Sequence, residues 1–134
     1  MLTFSDPSRT SRVQLLATAI DAGSAGPATL KIYAGIRPAP GAAITGSALL
    51  ATLQFAHPCA QTVTGGMLTL KPLAEQLVTG NGIPSWGRIS DRDGSFVADL
   101  DVGPPGSGAD IEIPADELFT GAMLRINSAT ITEP

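Results

Sequence analysis

The chain has 134 residues, which suits one domain built on one core. With 43% hydrophobic residues but only 4% aromatic and 15% charged, the expected core is aliphatic and the surface is poor in charge, as on a module covered by a partner. A net charge of −4 with scattered Lys and Arg argues against nucleic-acid binding through phosphate contacts, no apolar run is long enough to span a membrane, and a single cysteine excludes an intrachain disulfide.

Residues 1–4 form a short apolar start with no secretory signal apparent, and Asp6-Pro7 then marks a helix, with Asp6 as N-cap and Pro7 where a missing N–H costs nothing. Val13, Leu16, Ala17 and Ile20 recur at helical spacing and Ala22-Gly23 is a stop signal, so a helix is expected over 7–21. Residues 1–22 are thus an arm and helix that lids one face or end of the remainder.

Residues 29–34 alternate as a strand, with Leu30, Ile32 and Ala34 on one face. A long loop follows over 36–47, and loops of that length are often functional. The 48–56 stretch is a strand with Leu49, Ala51, Leu53 and Phe55 on one face; 57–66 is expected to be irregular. The 67–73 stretch is a short strand with Pro72 marking an edge or bulge, and 74–79 reads as a strand or a turn of helix. Residues 85–102 form a hairpin, with Trp86, Arg88 and Ser90 on one face going in and Phe96, Ala98 and Leu100 together coming out. Its turn is type I with Asp91 first and Gly94 last, or type I′ with Asp93-Gly94 central. After a Gly/Pro break at 103–108, a strand is expected at 110–113, a helical or wide turn at 114–121, and one long strand over 122–132. In that last strand Met123, Arg125, Asn127, Ala129 and Ile131 share a face. The pattern predicts an all-β fold: a two-sheet sandwich of jelly-roll or immunoglobulin-like type over 29–132, with one N-terminal helix, as a single domain over 1–134.

Little in the chain carries legible chemistry. His57 and Cys59 stand two apart, as a Cys–His pair would on an extended chain, but Pro58 intervenes and nothing orients them. The preferred reading is a polar loop residue beside a small buried thiol. Zinc needs about four ligands, and the chain has one Cys and one His. Asp91, Asp93, Asp99 and Asp101 invite a calcium reading, but the loop spacing is wrong; turn chemistry at the first two and solvated carboxylates at the last two are preferred. The same carboxylates lack the aromatic platforms of a glycosidase cleft. No nucleotide-binding or nucleophile motif occurs, so no catalytic, cofactor or metal residue is assigned and no enzyme is expected. Trp86 is either a core residue or, sharing a face with Arg88, part of a subunit contact.

From Asp21 onward the order LKIYAG, LLATLQFAHP, SWGRISDRDGSFVADLDVG and GADIEIPADELFTGAMLRINSATITEP resembles a group of small β-sandwich virion structural proteins of tailed bacteriophages and prophages. The 57–66 loop and the KPLAEQ after it depart from that pattern. The resemblance implies a non-enzymatic head decoration, or cement, protein without cofactor. It would sit on the capsid surface after synthesis in the bacterial cytoplasm. Its partners would be the major capsid protein and copies of itself, as a closed trimer, with no nucleic acid and no membrane. The alternatives are a tail or neck protein of the same virion, or a ligand-binding sandwich module. The expected contacts are Arg37, Pro38, Pro40 and Ile44 in the first long loop, His57 and Pro58 in the second, and Trp86. The N-terminal residues 1–11 are a candidate for edge pairing with a neighbour.

Overall fold

The computed structural model describes residues 1–126 and 129–132. Among these, a helix, α1 (Asp6–Ile20), precedes strands β1 (Thr29–Gly35), β2 (Ser47–Gln54), β3 (Ala60–Thr64), β4 (Met67–Leu70), β5 (Leu73–Leu77), β6 (Trp86–Ser90), β7 (Phe96–Gly103), β8 (Ile111–Glu112), β9 (Met123–Ile126) and β10 (Ala129–Thr132). The fold is all-β with one N-terminal helix, as the turn-punctuated alternation predicts.

The helix starts one residue earlier than expected, and Ser5 rather than Asp6 caps it. Ser5 is extended, and its hydroxyl accepts from the Ser8 N–H at 3.4 Å. Asp6 lies in the first turn, where its charge suits the helix N-terminus, and it accepts from Arg9 at 3.0 Å. Val13, Ala17 and Ile20 are buried and Leu16 packs half-buried beside them, so the predicted apolar stripe faces the core. With the helix beginning at residue 6, the extended arm is confined to its first five residues.

The larger sheet has the order β2-β1-β6-β7-β8, antiparallel except for the parallel pair β7–β8. Leu30, Ile32, Ala51, Leu53, Ile89 and Leu100 point from it into the core. Two bulges change which side chains point inward. Between β1 and β2, Ile32 lies opposite Ala51 but Tyr33 opposite Leu49, so Leu50 is the extra residue. Leu50 is buried and Leu49 turns out to solvent, which corrects the expectation that Leu49 shares a face with Ala51 and Leu53. In the β6–β7 hairpin, Ile89 pairs with Ala98 but Ser90 with Phe96. Phe96 thereby leaves the face of Ala98 and Leu100 and joins Arg88 outside. The turn is type I: the Gly94 N–H donates to the Asp91 carbonyl at 3.0 Å, and positive φ falls on Gly94 alone within it. The Asp91 carboxylate accepts from the N–H groups of Asp93 and Ser95, both at 2.9 Å, which braces the loop.

The second layer differs more from the sequence reading. The stretch expected to be irregular contains β3, which forms a hairpin with β4 around Gly65-Gly66. β4 pairs with β10 and β5 with β9 in one shared register, since Leu70 faces Ala129 and Leu73 faces Ile126. Lys71-Pro72, which lacks an N–H at the proline, separates β4 in a three-stranded sheet β10-β4-β3 from β5 in a two-stranded sheet β5-β9. The single strand expected over 122–132 is two strands, and Asn127 and Ser128 lie outside the described residues. Burial changes parity across the break, from Leu124 and Ile126 to Ala129 and Ile131. The ambiguous 74–79 stretch is strand β5, and 114–121 is a wide turn pinned by a bridge between Gly82 and Leu118. α1 packs against β3, β4 and β7, and the two layers enclose one continuous aliphatic cluster.

Candidate functional site

The loop at 36–46 does not project into solvent. It folds back over the outer face of the larger sheet as a strap. Beneath it Tyr33 stacks on Trp86 with ring centroids 4.6 Å apart and planes 15° apart. The Arg88 guanidinium lies 5.5 Å from the Trp86 ring and 5.2 Å from the Phe96 ring. Arg88 and Asp99 are cross-strand neighbours, and the guanidinium fork donates to both carboxylate oxygens, at 2.7 and 3.0 Å. The Asp99 side chain is only 3% exposed, which corrects the expectation of a solvated carboxylate. The pair holds the strap in turn: Arg88 donates to the Ala42 carbonyl at 2.9 Å, and Asp99 accepts from the Gly41 N–H at 3.4 Å. Gly41 has φ +73, a conformation that favours glycine, and a Cβ there would sit 3.2 Å from the Phe96 ring, so a larger residue would be strained and would push the ring aside. Hydrogen bonding to Asp99 raises the Arg88 pKa further, and burial raises that of Tyr33.

The two sharp chemical candidates dissolve into local structure. Cys59 is buried, its backbone N–H donates to the Asp21 carboxylate at 2.9 Å, and its thiol lies 3.7 Å from the Ala17 carbonyl. Burial, reinforced by the Asp21 charge, pushes the thiol up to about 12, so no thiolate forms near neutrality. His57 is exposed, with Nδ1 3.6 Å from the Asp21 carboxylate that also accepts from the Cys59 N–H. The hairpin carboxylates are spent separately. Asp93 accepts from the Ser24 and Ala25 N–H groups, each at 3.0 Å, Asp99 holds Arg88, and Asp101 pairs with Arg37 at 3.4 Å. The two backbone N–H groups at Asp93 hold its carboxyl below the usual range.

A different feature stands out at the end of the sandwich away from the helix. No Asp, Glu, Lys or Arg occurs between Arg37 and Lys71, between Glu75 and Arg88, or between Glu117 and Arg125. Parts of these three runs meet there. The Thr79 and Gly80 N–H groups donate to the Leu50 carbonyl, Thr120 N–H to the Asn81 side chain, Val78 N–H to the Ala122 carbonyl, and Ser85 Oγ to the Gly35 carbonyl. The segments so joined carry Ile36, Leu49, Leu77, Ile83, Phe119 and Met123, each between 40% and 84% exposed. Leu77 and Met123 are cross-strand neighbours on β5 and β9. Large apolar side chains exposed together on a surface poor in charge are the usual mark of a protein–protein contact.

The contact residues expected from sequence are divided between two places. Arg37, Pro38, Pro40 and Ile44 lie on the strap, with Arg37 and Pro40 exposed and Pro38 and Ile44 half-buried. His57 and Pro58 are exposed at the helix end, joined by a cis peptide bond. Trp86 is 1% exposed and cannot touch a partner; its indole N–H donates to Ser47 at 3.0 Å, so the core reading of this residue is the correct one. The apolar end was missed, although the charge-free runs that build it are plain in the sequence. No family model matches the chain, and neither a curated protein nor a solved structure matches it.

Proposed function

We propose that this chain is a non-enzymatic structural protein of a tailed-phage or prophage virion, a decoration protein that docks on the major capsid lattice through its uncharged apolar end. The observation that carries the reading is that end: six large apolar side chains are exposed there, five of them within the three runs that carry no formal charge. Left in water, such a surface favours association by burial of apolar area, about 25 cal/mol per Å². The ordered motifs that resemble small virion sandwiches supply the partner, and a closed ring of copies, such as a trimer, is the assembly that fits a capsid symmetry axis.

Quantitative mass spectrometry of purified particles tests this directly. A decoration protein gives a copy number near that of the major capsid protein or a fixed large fraction of it. A handful of copies per particle moves the chain to the tail or neck, and absence from the particle overturns the virion reading. The double variant Ile83→Asp with Phe119→Asp should leave the fold intact and release the protein from particles.

A further inference from the structure

The sandwich carries exposed apolar side chains at both of its ends. The helix closes one end. Near its start, Thr10 Oγ1 accepts from the Gly66 N–H of the β3–β4 turn at 2.8 Å. Just past its last turn, the Ala22 carbonyl accepts from the Arg92 N–H of the β6–β7 turn at 2.9 Å. Residues 1–5 precede the helix at this end, exposed throughout and without a charged side chain. Met1 and Leu2 are more than three-quarters exposed, and Phe4 has the Arg12 guanidinium over its ring, 4.6 Å from the centroid.

The six exposed side chains of the apolar end lie at the opposite extreme. The arm cannot cover them within one chain. β1 begins at Thr29, paired with Ser90 beside the β6–β7 turn, and ends at Gly35, next to Ile36 of the apolar end. Its seven residues span about 20 Å, whereas residues 1–4 reach about 13 Å from the helix start. Between two copies the surfaces match in size. At about 200 Å² for a large side chain laid bare, Met1, Leu2 and Phe4 present about 450 Å² and the six end residues about 700 Å². Together that is about 1,200 Å², the lower bound of a specific interface. They also match in chemistry, since the arm brings no charged side chain that would have to leave water.

We propose that the arm of a second copy covers the apolar end, so that free chains associate head to tail through Met1, Leu2 and Phe4. Donor and acceptor lie at opposite ends, so the contact is heterologous: each copy gives one arm and receives one, and the series closes into a ring where the rotation between copies permits. The inference rests on the reading of that end as a contact surface, but not on a capsid as its partner. On a particle, the lattice and the arm compete for the same side chains.

The test is sedimentation velocity of the full chain from about 5 to about 500 μM, across which it should pass from monomer to larger species. Leu2→Asp lies outside the helix and should weaken association at least about tenfold without moving the urea midpoint. Ile83→Asp with Phe119→Asp should do the same from the acceptor side; should that pair disturb the fold, Leu77→Thr takes its place. Mixed in equal amounts, the arm variant and the end variant should form a one-to-one dimer and nothing larger, because one keeps only its end and the other only its arm. A chain monomeric at every concentration, undiminished association of Leu2→Asp, or a mixture that stays monomeric would overturn the proposal. The result is separable from the virion reading. A monomeric chain found on particles at lattice copy number defeats the arm and spares the docking, and an associating chain absent from particles does the reverse.

Discussion

The strapped face of the larger sheet and the uncharged end of the sandwich solve opposite problems with similar loops. Over the strapped face, an irregular segment lies against a stack of Tyr33, Trp86, Arg88 and Phe96, and its own polar groups meet a buried ion pair. At the uncharged end, segments of the same Gly- and Pro-rich character are stitched to each other by backbone bonds while their large side chains face water. Where a loop covers a face, its exposed positions contribute to stability through what lies beneath. Where loops only bond to each other, their side chains are free to serve contact. Loop length alone, the feature that made 36–47 and 57–66 the expected contact sites, does not distinguish these cases.

Substitutions sharpen the contrast. The largest effect is expected from Trp86→Ala, which empties the site of a fully buried side chain and strips Tyr33 of its stacking partner. It should cost about 4 kcal/mol in urea unfolding. Asp99→Ala is next. It leaves Arg88 almost buried and unpaired and releases the Gly41 N–H, for a loss of about 3 kcal/mol. If Asp99→Ala were nearly silent, the strap would not be held by the ion pair. At the opposite end, Leu77→Thr should change stability by less than about 0.5 kcal/mol, because the side chain is already more than half exposed, and under the proposed docking role it should weaken attachment to the particle. A large stability loss there would mean that the end is part of the core.

The smallest effect is a pH dependence at Asp93. Its carboxyl is held below the ordinary value of 3.8 by the Ser24 and Ala25 N–H groups, so the native state favours the ionised form. The associated stabilisation is complete above that value and is lost as pH falls below it. Asp93→Ala should therefore flatten the stability profile on the acid side of pH 4 and leave its slope near neutrality unchanged, as read from urea midpoints across a pH series.

The comparison with the sequence is instructive element by element. The helix, the β1 strand and the β6–β7 hairpin were legible because local rules suffice for them: apolar spacing, a start signal one residue from the observed cap Ser5, and Asp and Gly at the ends of a turn. The carboxylate of Asp91 was legible as turn chemistry for the same reason, whereas that of Asp93 reaches across to the Ser24 and Ala25 N–H groups, a contact no local rule contains. Asp99 was not, since its burial depends on a strap whose sequence, rich in Gly, Ala and Pro, carries no signal of where it folds. The apolar end was half legible. Its charge-free runs are visible in the chain, but only hydrogen bonds between distant segments bring them together.

By itself, then, the amino-acid order determined the class of the fold, the single helix and the positions of most turns, because backbone propensity and side-chain periodicity act over a few residues. The bulges at Leu50 and in the β6–β7 hairpin, the pairing of β9 with β5 and of β10 with β4, and the burial of Trp86 were decided only in the tertiary structure. Each depends on which strand lies alongside which. One extra residue in a ladder reverses every side chain beyond it.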